Sequence, residues 1–270
     1  MANEHASAPP EGYEVRSFEH AGDTRPVFHK GTGPAVLVMT EIPGITPPVL
    51  AFCEHVLALG CSVALPQFLG TPGRPFSAGY MIKSMTKVCV SREFTTFVRG
   101  RSSPITVWMR ALARALHREH GGPGVGVVGM CLTGGFALAT LAEPAVIAPV
   151  LSQPSLPFGL SEDHRSDLGL SPEDLVAARD RVCEQGIPLL GLRFSHDSLC
   201  PPQRFERLKA EFGDAVKLIE IDSSEGNAHG LTRRAHSVLG HDFVDEAEHP
   251  TRQALDEVLT LFEQQLLTTG

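Results

Sequence analysis

The segment Gly124-Val-Gly-Val-Val-Gly-Met-Cys131-Leu-Thr-Gly-Gly135 holds the residues whose types and spacing first suggest chemistry, and it offers two kinds. Gly124, Gly126 and Gly129 have the spacing G-x-G-x-x-G, which in a dinucleotide loop lets the backbone approach a pyrophosphate. That loop must follow a strand. Gly124 follows a helical stretch and the turn Gly121-Gly-Pro123, and the strand overlaps the glycines themselves. The second pattern places Gly129, Cys131, Gly134 and Gly135 at a change from strand to helix, the setting of a nucleophile elbow. A sharp turn there strains the nucleophile's backbone and needs small neighbours so that the helix can start close against the strand. It lifts the side chain above the carboxyl end of the sheet, and the positive end of the following helix favours a thiolate. Cys131 would be the nucleophile, and the backbone N–H of Leu132 would face an oxyanion.

A free cysteine is most often an inert buried thiol, and that is the reading for the other five of the six. What sets Cys131 apart is the company it keeps. Hydrolases built on such an elbow carry, in chain order, a nucleophile, an acid and a histidine, the last two on loops after late strands. Asp197 lies in Ser195-His-Asp-Ser-Leu-Cys-Pro-Pro202, after the apolar run Leu189 to Phe194. His229 lies in Gly226-Asn-Ala-His-Gly230, after the run Val216 to Ile221. Alone, Asp197 could cap a helix starting near Pro202, and His229 could be an ordinary surface histidine among twelve. Together they give Cys131 an orienting acid (Asp197) and a base (His229).

The elements that must hold these residues alternate along the chain. Short β-rich runs, Ala35 to Met39, Ser62 to Leu65, Val125 to Val128, Ala145 to Leu151, Leu189 to Phe194 and Val216 to Ile221, read as strands buried on both faces. Between them lie amphipathic stretches, Pro48 to Leu59, Ile105 to His117, Leu132 to Ala142, Glu173 to Glu184, Pro202 to Phe212 and Arg252 to Leu267. Parallel neighbours need crossovers, and these crossovers are helical, so an α/β fold with a mostly parallel sheet and helices on both faces is expected. Tyr13 to Lys30 could add antiparallel strands at an edge. Pro66 to Arg101 and Ser152 to Pro172 break the rhythm, and long excursions of this kind are often functional.

Four separated motifs resemble the dienelactone hydrolase family: Thr40-Glu-Ile-Pro-Gly44, Gly129-Met-Cys-Leu-Thr-Gly-Gly135, His196-Asp197 before a Pro-containing helix start, and His229-Gly230. The resemblance runs from about Gly31 to Leu267. It implies the α/β-hydrolase fold and a Cys-His-Asp triad that opens a carboxylic ester or lactone through a thioester, a carboxymethylenebutenolidase-like activity needing no cofactor or metal. It also implies that Glu41 contacts the resting thiol and takes its proton, and that the Ile42 N–H joins that of Leu132 in the oxyanion hole. Arg233, four residues beyond His229, stands where the family places a guanidinium that binds a substrate carboxylate; a plain surface arginine is the alternative. The chain departs from the family at Thr133, where Gly is usual, and lacks its basic and tyrosine contacts after the second long strand. Arg74 or Arg92 could replace those, and roles for His196 and Cys200 stay open.

Composition bounds the rest. A chain of 270 residues with 42% hydrophobic and 20% charged residues can build one sizeable core. Net charge is −8, and no basic run exceeds Arg233-Arg234, so neither nucleic acid nor anionic lipid is an expected partner. No apolar run approaches the roughly 18 residues that cross a bilayer. The cysteines form no CxxC pair, which argues against a zinc site or a disulfide framework. The expected layout is a flexible tail over residues 1–12 and one α/β-hydrolase domain over 13–270, in the cytoplasm, acting on a small-molecule ester or lactone, with the oligomeric state unknown. Two rival readings keep the fold. One is a non-catalytic protein that binds a small ligand in the same cleft, and the other a thioesterase or acyltransferase.

Overall fold

The computed structural model describes residues 8–77, 79–81, 84, 103–156 and 162–268. Eight strands form one sheet: β1 (Glu14–His20), β2 (Asp23–Lys30), β3 (Ala35–Met39), β4 (Ser62–Pro66), β5 (Val125–Met130), β6 (Val146–Ser152), β7 (Leu189–Phe194) and β8 (Val216–Ile221). Their order is β1-β2-β4-β3-β5-β6-β7-β8. The β1-β2 and β2-β4 pairs are antiparallel and every later pair is parallel. Tyr13 to Lys30 thus supplies the antiparallel edge. Its hairpin turns at Ala21 (φ 53°) and Gly22 (φ 83°), two successive left-handed residues of the kind that match the strand twist.

Side chains alternate across the sheet and sort the core into two layers. Ala35, Leu37 and Met39 of β3 face one side with Val125 and Val127 of β5, while Val36, Val38, Val128 and Met130 face the other. The first layer is covered by helices Pro104–His120, Gly134–Ala139 and Pro202–Phe212, and the second by Pro47–Ala58 and Pro250–Phe262. Helix Pro104–His120 shows why: Ile105, Trp108, Met109, Leu112, Ala113 and Leu116 recur at helical spacing and are all buried. Each of the Ile, Leu and Met side chains contributes about 1.5–3 kcal/mol on burial, and Ala113 about 0.8 kcal/mol. The helix starts at Ser103, whose hydroxyl accepts from Thr106 N–H, with Pro104 in the first turn, and it stops at Gly121 (φ 67°).

The expected strands and helices are present, with shifts at their ends. β5 runs on to Met130, directly into Cys131. The helix expected over Leu132 to Ala142 divides into a 3-10 turn at Cys131–Thr133, an α-helix at Gly134–Ala139 and a second 3-10 turn at Thr140–Ala142. Glu41, Cys131, Gln153 and Asp197 all follow strand carboxyl ends, the edge where open α/β sheets hold ligands.

Candidate active site

Cys131 has φ 55°, a left-handed conformation costing a non-glycine residue about 1–3 kcal/mol. The surroundings fix it. A Cβ on Gly129 would lie 2.3 Å from the Thr133 carbonyl oxygen and 2.7 Å from Ala137 Cβ, and one on Gly134 would lie 2.6 Å from Pro154 Cβ. Only glycine lets the helix close on β5 and the loop after β6 close on the helix. The Cys131 carbonyl accepts from Ser155 N–H at 2.9 Å. Thr133 neither crowds the elbow nor offers its hydroxyl to the cleft. The buried hydroxyl accepts from Met130 N–H at 2.8 Å and stands 2.7 Å from the Met39 carbonyl and 2.8 Å from that of Met130, either of which can take its proton.

Asp197 is 4% exposed. Its Oδ1 accepts from Leu199 N–H at 2.9 Å, and its Oδ2 lies 2.7 Å from Nδ1 of a histidine. That histidine is His236, not His229. The expectation for His229 is corrected on geometry: it is exposed, its backbone N–H donates to Asn227 Oδ1, and its ring sits edge-on to His249 with centroids 5.3 Å apart. Asn227 closes that loop on itself, its Nδ2 donating to the Ser224 and Leu231 carbonyls and its Oδ1 accepting from His229 and Leu231 N–H groups. His236 begins a separate turn. Asp242 Oδ2 accepts from the N–H groups of His236 and Ser237 at 2.8 and 2.9 Å, which sets the direction of the ring. The other ring nitrogen, Nε2, is buried without a well-formed hydrogen bond. Burial works against a charged ring here, but Cys131 and Asp197 outweigh it and raise the His236 pKa well above the usual 6.5.

Glu41 follows β3 and is buried, as expected for a cleft acid, but its partners differ from expectation. Oε1 accepts from the Ser237 hydroxyl at 2.6 Å and Oε2 from Gln153 Nε2 at 2.9 Å, so neither oxygen is given to the thiol. Burial raises its pKa, His236 and the Ser237 hydroxyl pull it down, Asp242 pushes it up, and Gln153 pulls it down; burial prevails. Ile42 and Leu132 are both buried, beside Glu41 and Cys131 respectively. Arg233 is exposed, three residues before His236. Arg74 stacks on the Tyr80 ring at 4.4 Å, His196 pairs with Ser195 Oγ at 2.9 Å, and Arg92 lies outside the described residues. Cys200 is fully buried; burial first, then the Asp197 charge, pushes its thiol pKa up.

Sequence reasoning missed His236, Ser237, Asp242 and Gln153. One signal was available: His229 sits in the polar run Ser223 to Arg234, whereas His236 leads into Val238 and Leu239, which are buried. Among the described residues no group of three His, Cys, Asp or Glu could hold a metal ion, and no helix is long and apolar enough to cross a membrane.

The architecture recurs in solved structures. A dienelactone hydrolase-like promiscuous phosphotriesterase from metagenomic libraries shares 14% identity with a TM-score of 0.62, over 94% of this chain and 98% of its own. The dienelactone hydrolase from Anabaena variabilis gives 12% identity and 0.59, over 94% and 98%. A cold-adapted esterase from an Arctic intertidal metagenomic library gives 15% and 0.59, over 98% and 100%. At such identities the likeness establishes the α/β-hydrolase fold. No curated protein matches the chain at a significant level. The sequence model of the dienelactone hydrolase family matches residues 24–266, and the chain belongs to that family of hydrolases.

Proposed function

We propose that this protein hydrolyses small carboxylic esters or lactones with Cys131 as nucleophile, His236 as base and Asp197 as orienting acid. The observation that carries the reading is the 2.7 Å contact between Asp197 and His236 Nδ1 in a ring whose charge is supported by Cys131. With Nδ1 bound to the carboxylate, Nε2 is left for the thiol proton. The resulting thiolate attacks the acyl carbon, and its carbonyl oxygen becomes an oxyanion held by the N–H groups of Leu132 and Ile42. Collapse expels the alkoxide, which takes the proton from Nε2, and leaves a thioester on Cys131. Neutral His236 then draws a proton from water, and attack by that water releases the acid and restores the thiol.

The substrate is a neutral ester in preference to one carrying a carboxylate. The family resemblance puts the carboxylate-binding guanidinium four residues after the histidine. Counted from His236 that position is Gly240, where a Cβ would lie 2.8 Å from Glu41 Oε1 and 2.5 Å from Ser237 Oγ. The position carries no guanidinium, and a side chain there would have to displace the Glu41–Ser237 contact. The test is hydrolysis of a short-chain aryl ester beside dienelactone by wild type, Cys131→Ala, His236→Gln and His229→Ala. Loss of on the order of 10³-fold or more with the first two, and a change within about twofold with the third, is expected. Full activity of Cys131→Ala would overturn the reading.

A further inference from the structure

Gln153 has no part in the chemistry above, yet almost every polar group it owns is engaged. Its N–H donates to the Leu192 carbonyl at 2.7 Å, and its own carbonyl accepts from the Ser155 hydroxyl at 2.9 Å. Its side-chain oxygen accepts from the Ser152 hydroxyl and from Val238 N–H at 3.3 Å, and its amide donates to Glu41 Oε2 at 2.9 Å. The residue is fully buried and holds φ at 38°, a left-handed conformation unfavourable for glutamine. An apolar side chain would fill the space without needing these partners.

The topology shows what the arrangement spans. β5 lies between β3 and β6, so Glu41 after β3 and Gln153 after β6 meet above the end of the strand that delivers Cys131. Two strand spacings are about 9–10 Å, which two long side chains can bridge and shorter ones cannot. From this bridge hang the two residues after His236: the Ser237 hydroxyl on Glu41 Oε1 at 2.6 Å, and Val238 N–H on the Gln153 amide oxygen. We propose that Gln153 and Ser237 are positioning residues that act through the buried carboxyl of Glu41 to keep the His236 imidazole aligned with Cys131 and Asp197. The proposal rests on the triad reading above.

The groups acting on His236 are Cys131 and Asp197 at its ring, Glu41 beneath its turn and Asp242 at its backbone N–H. Cys200 lies close enough to Asp197 and Cys131 to feel both charges. The negative charge of Glu41 favours the imidazolium, and the Gln153 amide favours that charge. Losing the amide lets Glu41 take a proton more readily and weakens the hold on the imidazolium, so the His236 pKa falls.

Gln153→Met keeps length and volume while removing every side-chain hydrogen bond, and Ser237→Ala removes the opposite end. Two readouts need no substrate: NMR titration of the His236 ring, assigned by comparison with His236→Gln, and the pH profile of Cys131 alkylation by iodoacetamide. In each variant the His236 midpoint should fall by about one unit and alkylation at pH 7 by roughly tenfold. The double variant should lose little more than either single one, because both act through Glu41. On the aryl ester, kcat should fall with KM nearly unchanged. If Gln153→Met does not fold, Ser237→Ala carries the same readouts. A His236 titration identical to wild type in a folded variant overturns the proposal. Activity retained by Cys131→Ala would instead overturn the triad while leaving the titration result readable.

Discussion

Replacing Thr133 with valine keeps the shape of the side chain and removes one oxygen atom. That oxygen accepts from Met130 N–H at 2.8 Å and reaches the Met39 carbonyl at 2.7 Å, tying the carboxyl end of β3 to the elbow after β5. The site is 4% exposed, so water cannot replace it. Leaving a buried N–H and a buried carbonyl unpaired costs about 1–3 kcal/mol each; Met130 N–H is lost outright, while the Met39 carbonyl keeps other lone-pair options. The sum is about 2–4 kcal/mol, and at roughly 2–4 °C per kcal/mol for a chain approaching this size, the melting temperature should fall about 4–16 °C. Thr133→Ser keeps the oxygen and should lose only about 1 kcal/mol, for the buried methyl. Because the bond also spaces Cys131 from Ile42, kcat on an aryl ester should fall about tenfold in the valine variant and much less in the serine variant. Equilibrium urea unfolding, with the slope checked for constancy, gives the free energies. A valine variant within 0.5 kcal/mol of wild type, on the order of the noise for surface substitutions, would refute the reasoning.

Gly134→Ala places a methyl 2.6–2.7 Å from Cβ and Cα of Pro154, atoms with little freedom to retreat, so a loss of about 1–3 kcal/mol is expected in urea unfolding. His236 has its pKa raised in the folded state; the stability its charge contributes is therefore fully present below 6.5 and is lost as pH rises through the raised folded value. The stability gap between wild type and His236→Gln should accordingly narrow from pH 6 to pH 9, and a gap that widens would contradict the direction of the shift. Asp242→Ala releases the N–H groups of His236 and Ser237 and should lower kcat about tenfold or more with KM little changed, measured on the aryl ester.

The strands were legible from their apolar runs: Leu189 to Phe194 is buried on both faces, Val216 to Ile221 is an edge strand buried only at its two ends, and the structure places both at those limits. Cys131 and Asp197 were legible because each sits within a few residues of such a strand end. The histidine was not, since residues 222–249 contain no helix or strand to count from. His229-Gly230 satisfied the local pattern, while His236 is held by Asp242 six residues on, and the two residues after it by Glu41 and Gln153 from across the fold. Gln153 was invisible for the same reason. Its partner Glu41 is 112 residues earlier in the chain, and nothing local distinguishes it from any other loop amide.

The self-closing loop at Asn227 has a practical side. One side-chain amide satisfies the backbone from Ser224 to Leu231, so the segment holds its shape from within and its tip, Ala228 to Gly230, is exposed. It stands ahead of the turn that carries His236 without lending that turn a side chain. A short peptide epitope or a fluorophore-bearing cysteine could therefore be grafted at Ala228, giving a reporter a few residues from the reacting centre in sequence while leaving the hydrogen bonds of the His236 turn in place.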